Sequence, residues 1–93
     1  MSMEQLTAFR ALAETESFTR AAEKLFRTQP AVSQAIRSLE EELGELLFTR
    51  QGRKSRLTQA GRIFLSHVEE AFEALEQGRH RVKALKALKT GEL

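Results

Sequence analysis

The 93-residue chain contains no cysteine, which excludes disulfides, cysteine zinc fingers and thiol catalysis. It also lacks aspartate and asparagine, so an EF-hand loop, an aspartyl dyad and an N-glycosylation site are excluded. β-Branched aliphatics are scarce. Three Val and two Ile stand against 12 Ala and 13 Leu, a balance that points to helices, with strands as a minor part. Long apolar runs are missing too: the longest are triplets such as Leu46–Phe48 and Ile63–Leu65, far short of a membrane span or a signal-peptide core. What is present, 41% hydrophobic and 30% charged residues, is enough for one small domain with a core. The expectation is a cytoplasmic protein without membrane contact.

Fifteen Lys and Arg against 13 Glu leave a net charge of only +2, so bulk charge alone announces no nucleic-acid partner. The distribution is more telling. From Ser17 to Leu39 the bases Arg20, Lys24, Arg27 and Arg37 face the single acid Glu23, a local balance of 4 − 1 = +3. From Leu46 to Val68 there is no acid, while Arg50, Arg53, Lys54, Arg56 and Arg62 give +5. The acids gather in Glu40, Glu41, Glu42 and Glu45, and again in Glu69, Glu70, Glu73 and Glu76. Such segregation suits a surface that meets phosphates, because each neutralised phosphate releases condensed counterions. An isolated charge run more often merely solvates a face, so the assignment needs the motifs that follow.

Met3, Leu6, Phe9, Leu12 and Ala13 recur at helical spacing, which predicts an amphipathic helix over residues 3–14 that breaks between Glu14 and Ser17. Ser17 is a good N-cap for a second, short helix carrying Phe18, Ala21, Ala22 and Leu25 at spacings of three and four. Thr28 caps a third, with Gln29 and Pro30 in a first turn that tolerates proline, and Gly44 ends it. Its inward stripe is Val32, Ile36, Leu39 and Leu43. Two short helices joined by a tight turn form a helix-turn-helix unit, or simply a helical hairpin in a bundle. The outer face of the third helix separates the two: Gln29, Ser33, Gln34 and Arg37 are hydrogen-bonding residues, and no acid appears before Glu40. A solvated bundle helix would mix Glu and Lys throughout. The arrangement favours a helix whose N-terminal half enters DNA.

Leu46–Phe48 and Lys54–Leu57 flank Gly52 and predict a two-stranded wing with a basic tip, leaning on the helices through Phe48 and Leu57. Thr58 then caps a last helix running without proline to about Thr90, about 48 Å long at 1.5 Å per residue. It carries a heptad. Val68, Leu75 and Val82 occupy one seam position and Phe64, Ala71, Gly78 and Leu85 the other, the pattern of a two-stranded coiled coil interrupted by Gly78 and Lys89. Folding back of this helix on its own domain is credible for Thr58 to Phe72 and weak beyond Gly78. The fold expected is mainly α: a winged helix-turn-helix over 1–58, a dimerisation helix over 59–90, and a short connection at 91–93.

The run SFTRAAEKLFRTQPAVSQAIRSLEEELGELLFTR, Ser17 to Arg50, followed by Arg53 and by LTQAG, Leu57 to Gly61, resembles the N-terminal winged helix-turn-helix of the LysR-type transcriptional regulators. TQPAVS, Thr28 to Ser33, is its most characteristic part. The resemblance implies a DNA-binding domain followed by a helix that pairs two subunits. It also implies a longer regulator, in which a small-molecule effector would act through a C-terminal domain that this sequence does not contain. The family's base-facing positions fall on Gln29, Pro30, Ala31, Ser33 and Gln34, its backbone contacts on Thr28, Arg37 and Arg50, and its wing-tip arginine on Arg53, beside which Lys54 is a further expected minor-groove contact. Pairing would use Phe64, Val68, Ala71, Leu75, Val82 and Leu85. Many members carry Arg where this chain has Gln34; Arg favours guanine and Gln adenine, so base preference does not transfer. Many also have a small apolar residue where this chain has Arg27, which is expected to add a DNA backbone contact beside the turn.

The expected function is sequence-specific binding of double-stranded promoter DNA by a homodimer associated with the bacterial nucleoid, with no cofactor and no catalysis. The alternative is a helical protein-interaction or dimerisation module with an incidental basic patch. Catalysis ranks third: His67 and His80 are thirteen residues apart, off metal-ligand spacing, and Ser66 beside His67 lacks a flanking glycine elbow.

Overall fold

Each helix of the chain begins on a hydroxyl. In the computed structural model, which describes residues 1–91, Ser2, Ser17, Thr28 and Thr58 cap α1 (Met3–Thr15), α2 (Phe18–Leu25), α3 (Gln29–Leu43) and α4 (Gln59–Thr90), each side chain accepting from a backbone N–H in the first turn. Three of these caps are legible in the sequence. Ser2 adds a fourth, with the Gln5 side chain reaching back to form a full capping box. Between α3 and α4 lie β1 (Phe48–Gln51) and β2 (Lys54–Leu57), an antiparallel pair in register Phe48↔Leu57 through Gln51↔Lys54. The architecture is the mainly helical winged helix-turn-helix expected. Of the connection expected at 91–93, Gly91 is the left-handed C-cap of α4 and the other two residues lie outside the described chain.

The core forms where the apolar stripes of α1, α2 and α3 converge. Phe9, Leu12, Ala21, Ala22, Val32, Ile36 and Leu39 are buried together, and the two alanines let α2 approach closely. The wing, too small to stand alone, leans on this core through Phe48, whose ring meets Phe9 edge-on at 5.5 Å. On its other flank Phe9 meets the Phe64 ring at 5.2 Å, which docks the start of α4.

That docking changes the expected seam. Val68 is sealed in the core at 3% exposure and Phe64 is half-buried beside it, because their four-residue spacing points both at α1. Val68 is therefore not the water-facing seam position that the heptad alone had implied, and Phe64 is only partly open. Phe72 closes the contact, with the Arg10 guanidinium 4.0 Å above its ring. Beyond it α4 projects from the domain and gives the molecule its 55 Å long axis. Leu75, Val82, Leu85 and Leu88 are exposed there.

Gly61 marks the tightest approach. A Cβ at this position would lie 2.2 Å from the carbonyl oxygen of Leu47, so the first turn of α4 rests directly on the chain entering the wing. Two non-glycine residues, Glu16 (φ 58°) and Phe26 (φ 55°), close α1 and α2 in the left-handed conformation, which costs each roughly 1–2 kcal/mol.

Candidate nucleic-acid interface

The first turn of α3 presents an unobstructed, positively polarised helix end. The Thr28 hydroxyl accepts from the Ala31 N–H at 3.2 Å, Pro30 brings no N–H to satisfy, and the turn holds no acid to offset the helix dipole. Gln29, Pro30, Ala31 and Gln34 are exposed and Ser33 is half-buried, while Val32 and Ile36 anchor the opposite face in the core. The five residues expected to face bases therefore lie in the first two turns of one helix, with Ala31 on the side where it lines a pocket with Glu4 and Arg27. Along that helix Arg37 Nη1 donates to Gln34 Oε1 at 3.4 Å, and Gln34 Nε2 donates to Ser38 Oγ at 3.3 Å. These are long, exposed bonds that a base edge can replace.

Arg53 lies in the turn at the wing tip beside Gly52, and Arg50 lies on β1; both are exposed and neither forms an ion pair among the described residues. Arg20 and Arg37 are likewise exposed and without an ion pair among the described residues, whereas five further cations are engaged within the domain. Lys54 Nζ lies 3.7 Å from Glu16 Oε1, and Arg56 Nη1 lies 3.5 Å from Glu16 Oε2. Arg27 turns towards α1, where Nη2 is 3.8 Å from Glu4 Oε1. Lys24 pairs with Glu14, and Arg62 donates to the Leu57 carbonyl at 3.3 Å.

Two acids hold the basic surface in place: Glu40, which the charge pattern banks away from it, and Glu16, which the charge count does not place. Glu40 Oε2 accepts from the backbone N–H of Leu47 at 2.8 Å and of Phe48 at 3.4 Å, which fixes the point where the wing leaves α3. Glu16 carries the two β2 cations, and its carbonyl accepts from Ser55 N at 3.0 Å. The α1–α2 turn thus covers the free edge of β2. Glu40 sits in a run of three glutamates and Glu16 in an apparent helix break, so nothing local distinguishes either. Phe26, in the turn before α3, is 95% exposed and was not singled out by periodicity.

Among the described residues no cluster of His or Glu is suited to a metal ion, and no helix is long and apolar enough to cross a membrane. His67 and His80 are both exposed, His80 lying 3.4 Å from Glu76.

The fold and sequence are similar to proteins named as transcriptional regulators. An uncharacterised HTH-type transcriptional regulator of Bacillus subtilis, YxjO, is 45% identical over 86 residues, which cover 92% of this chain and 30% of that protein. The chain thus spans under a third of that relative's length. The BenM DBD complex with catB site 1 DNA superposes with a TM-score of 0.88 at 34% identity, covering 94% of this chain and 98% of that one. The CbnR DBD–DNA complex gives 0.85 at 32% identity, covering 92% and 99%. The sequence pattern described as bacterial regulatory helix-turn-helix protein, lysR family, matches residues 3–62, well over half the chain, and the chain belongs to that family.

Proposed function

We propose that the chain binds double-stranded promoter DNA sequence-specifically, as the DNA-binding part of a bacterial transcription regulator in the cytoplasm and at the nucleoid. The observation that carries this reading is the acid-free, exposed N-terminal edge of α3, with Gln29, Ser33 and Gln34 set beside an uncapped wing tip. In this reading α3 enters the major groove: Gln29, Pro30, Ala31, Ser33 and Gln34 meet base edges, and Thr28, Arg37 and Arg50 meet phosphates. Arg53 at the wing tip reaches the adjoining minor groove. The similarity to two DNA complexes supports that placement.

Two copies pair through α4, by way of Ala71 beside Phe72 and of Leu75, Val82 and Leu85 on the projecting half, all of them exposed in the monomer. An open apolar groove at the other end of the helix, lined by Leu43, Leu46, Ile63 and Phe64, extends the surface available to the partner. Any response to a small-molecule effector belongs to the part of a full-length regulator that this chain does not span.

The test is binding to a DNA selected from a random pool by this chain, measured against random duplex. Gln34→Ala is expected to cost about 1–3 kcal/mol on the selected site and less on random DNA. Equal losses on both would make Gln34 a backbone contact. Absence of any selected sequence would favour the protein-interaction reading instead.

A further inference from the structure

The wing carries four cations within seven residues, Arg50, Arg53, Lys54 and Arg56, yet the fold does not leave them equally available. We propose that Glu16 is a positioning residue that withholds Lys54 and Arg56 from DNA and leaves the wing to act through Arg53 and Arg50. The inference rests on the DNA-binding reading above.

Three observations converge on Glu16. Its carboxylate divides between the two β2 side chains that share the wing's outer face, Oε1 towards Lys54 and Oε2 towards Arg56, at 3.7 and 3.5 Å. Its backbone is fixed to the same strand by the Ser55 N–H to Glu16 carbonyl bond of 3.0 Å, and Ser55 is buried. Its conformation, φ 58° and ψ 20°, is one that glycine adopts freely and glutamate does not. Turn closure alone would be met better by glycine, and the glutamate supplies the two ion pairs that glycine could not.

An exposed ion pair is weak in isolation and yields to competing ions. Here the anchored backbone returns the carboxylate to the same two cations whenever a pair opens. When phosphates approach, the carboxylate is still there as a like charge, so the pair of cations contributes less than two full neutralisations. A wing with four free cations would grip any duplex. Two held back keep non-specific attraction low while the tip remains charged.

The experiment is the salt dependence of binding to a selected duplex and to random duplex, by fluorescence anisotropy. Each added phosphate contact steepens the slope of log K against log salt by about 0.9. Glu16→Gln should therefore steepen it by about 0.9–1.8 on both duplexes, which means an extra loss of roughly 3- to 12-fold in affinity between 50 and 200 mM salt. The double variant Lys54→Gln/Arg56→Gln should leave the slope close to that of the unaltered chain, and adding Glu16→Gln to it should change nothing further. A Glu16→Gln slope equal to the starting one overturns the inference, as does an increment that persists without the two cations. A slope that falls by about 0.9 or more in the Lys54/Arg56 double variant overturns it as well, since at least one of those cations would then already be on a phosphate. Failure of the unaltered chain to bind DNA overturns the DNA-binding reading itself, and this inference with it.

Discussion

Replacing Glu40 by alanine removes the acceptor that holds the start of the wing. The Leu47 N–H, 2.8 Å from the carboxylate, belongs to a residue with no exposed surface, so its loss leaves a donor that water cannot readily reach. A hydrogen bond to a charged group is worth about 1.5–3 kcal/mol, and the second bond, from Phe48 at 3.4 Å, is too long to add much. The expected loss is about 2 kcal/mol, or about 8–16 °C in melting temperature for a domain of this size. Glu40→Gln keeps a neutral acceptor and should lose about half as much. Thermal unfolding followed by far-ultraviolet circular dichroism reads both, at one protein concentration, because pairing would make the midpoint concentration-dependent. The reasoning is refuted if Glu40→Ala lies within about 0.5 kcal/mol of the unaltered chain, or if the glutamine variant is as unstable as the alanine one.

Gly61→Ala should destabilise by about 1–3 kcal/mol despite alanine's better helix propensity, since its Cβ would meet the Leu47 carbonyl at 2.2 Å and backbone would have to move; a raised melting temperature would contradict the contact. Phe26→Gly should stabilise by about 1 kcal/mol in urea unfolding, because it relieves a left-handed phenylalanine that buries nothing. No gain there would mean that the Phe26 ring is held by contacts beyond its own chain. Leu75→Glu with Val82→Glu should give a monomer by sedimentation, keep the helical signal of the core, and bind two-half-site DNA far more weakly with little change on a single half-site. A double variant that still sediments as a dimer would move the interface off this half of α4.

How much of this was legible in the sequence depends on how far apart the interacting residues lie. Caps, turns and stripes are local: Ser17, Thr28, Thr58 and Gly44 bound the helices where hydroxyl and glycine chemistry requires, and the exposed edge of α3 follows from the spacing of Val32 and Ile36. Periodicity fails where two partners compete for one stripe. The heptad through Phe64 and Val68 cannot reveal that α1 claims those two positions and leaves Leu75 onward without a partner. Charge counting fails for a related reason, since it ranks an acid by its neighbours in sequence rather than by the cations it meets. Glu40 reaches seven and eight residues ahead to the wing's backbone, and Glu16 meets Lys54 and Arg56 across the width of the domain. The basic surface is thus smaller than its sequence suggests. Of the cations on the helix-turn-helix and wing, Lys24, Arg27, Lys54 and Arg56 are paired with Glu14, Glu4 and Glu16, while Arg20, Arg37, Arg50 and Arg53 have no such partner among the described residues. Pairing two of the wing's four cations lowers the non-specific phosphate attraction of the wing and shifts the balance towards the hydrogen-bonding edge of α3. On the proposal made for Glu16, its pairs with Lys54 and Arg56 favour selectivity by weakening the competing, sequence-independent mode of binding.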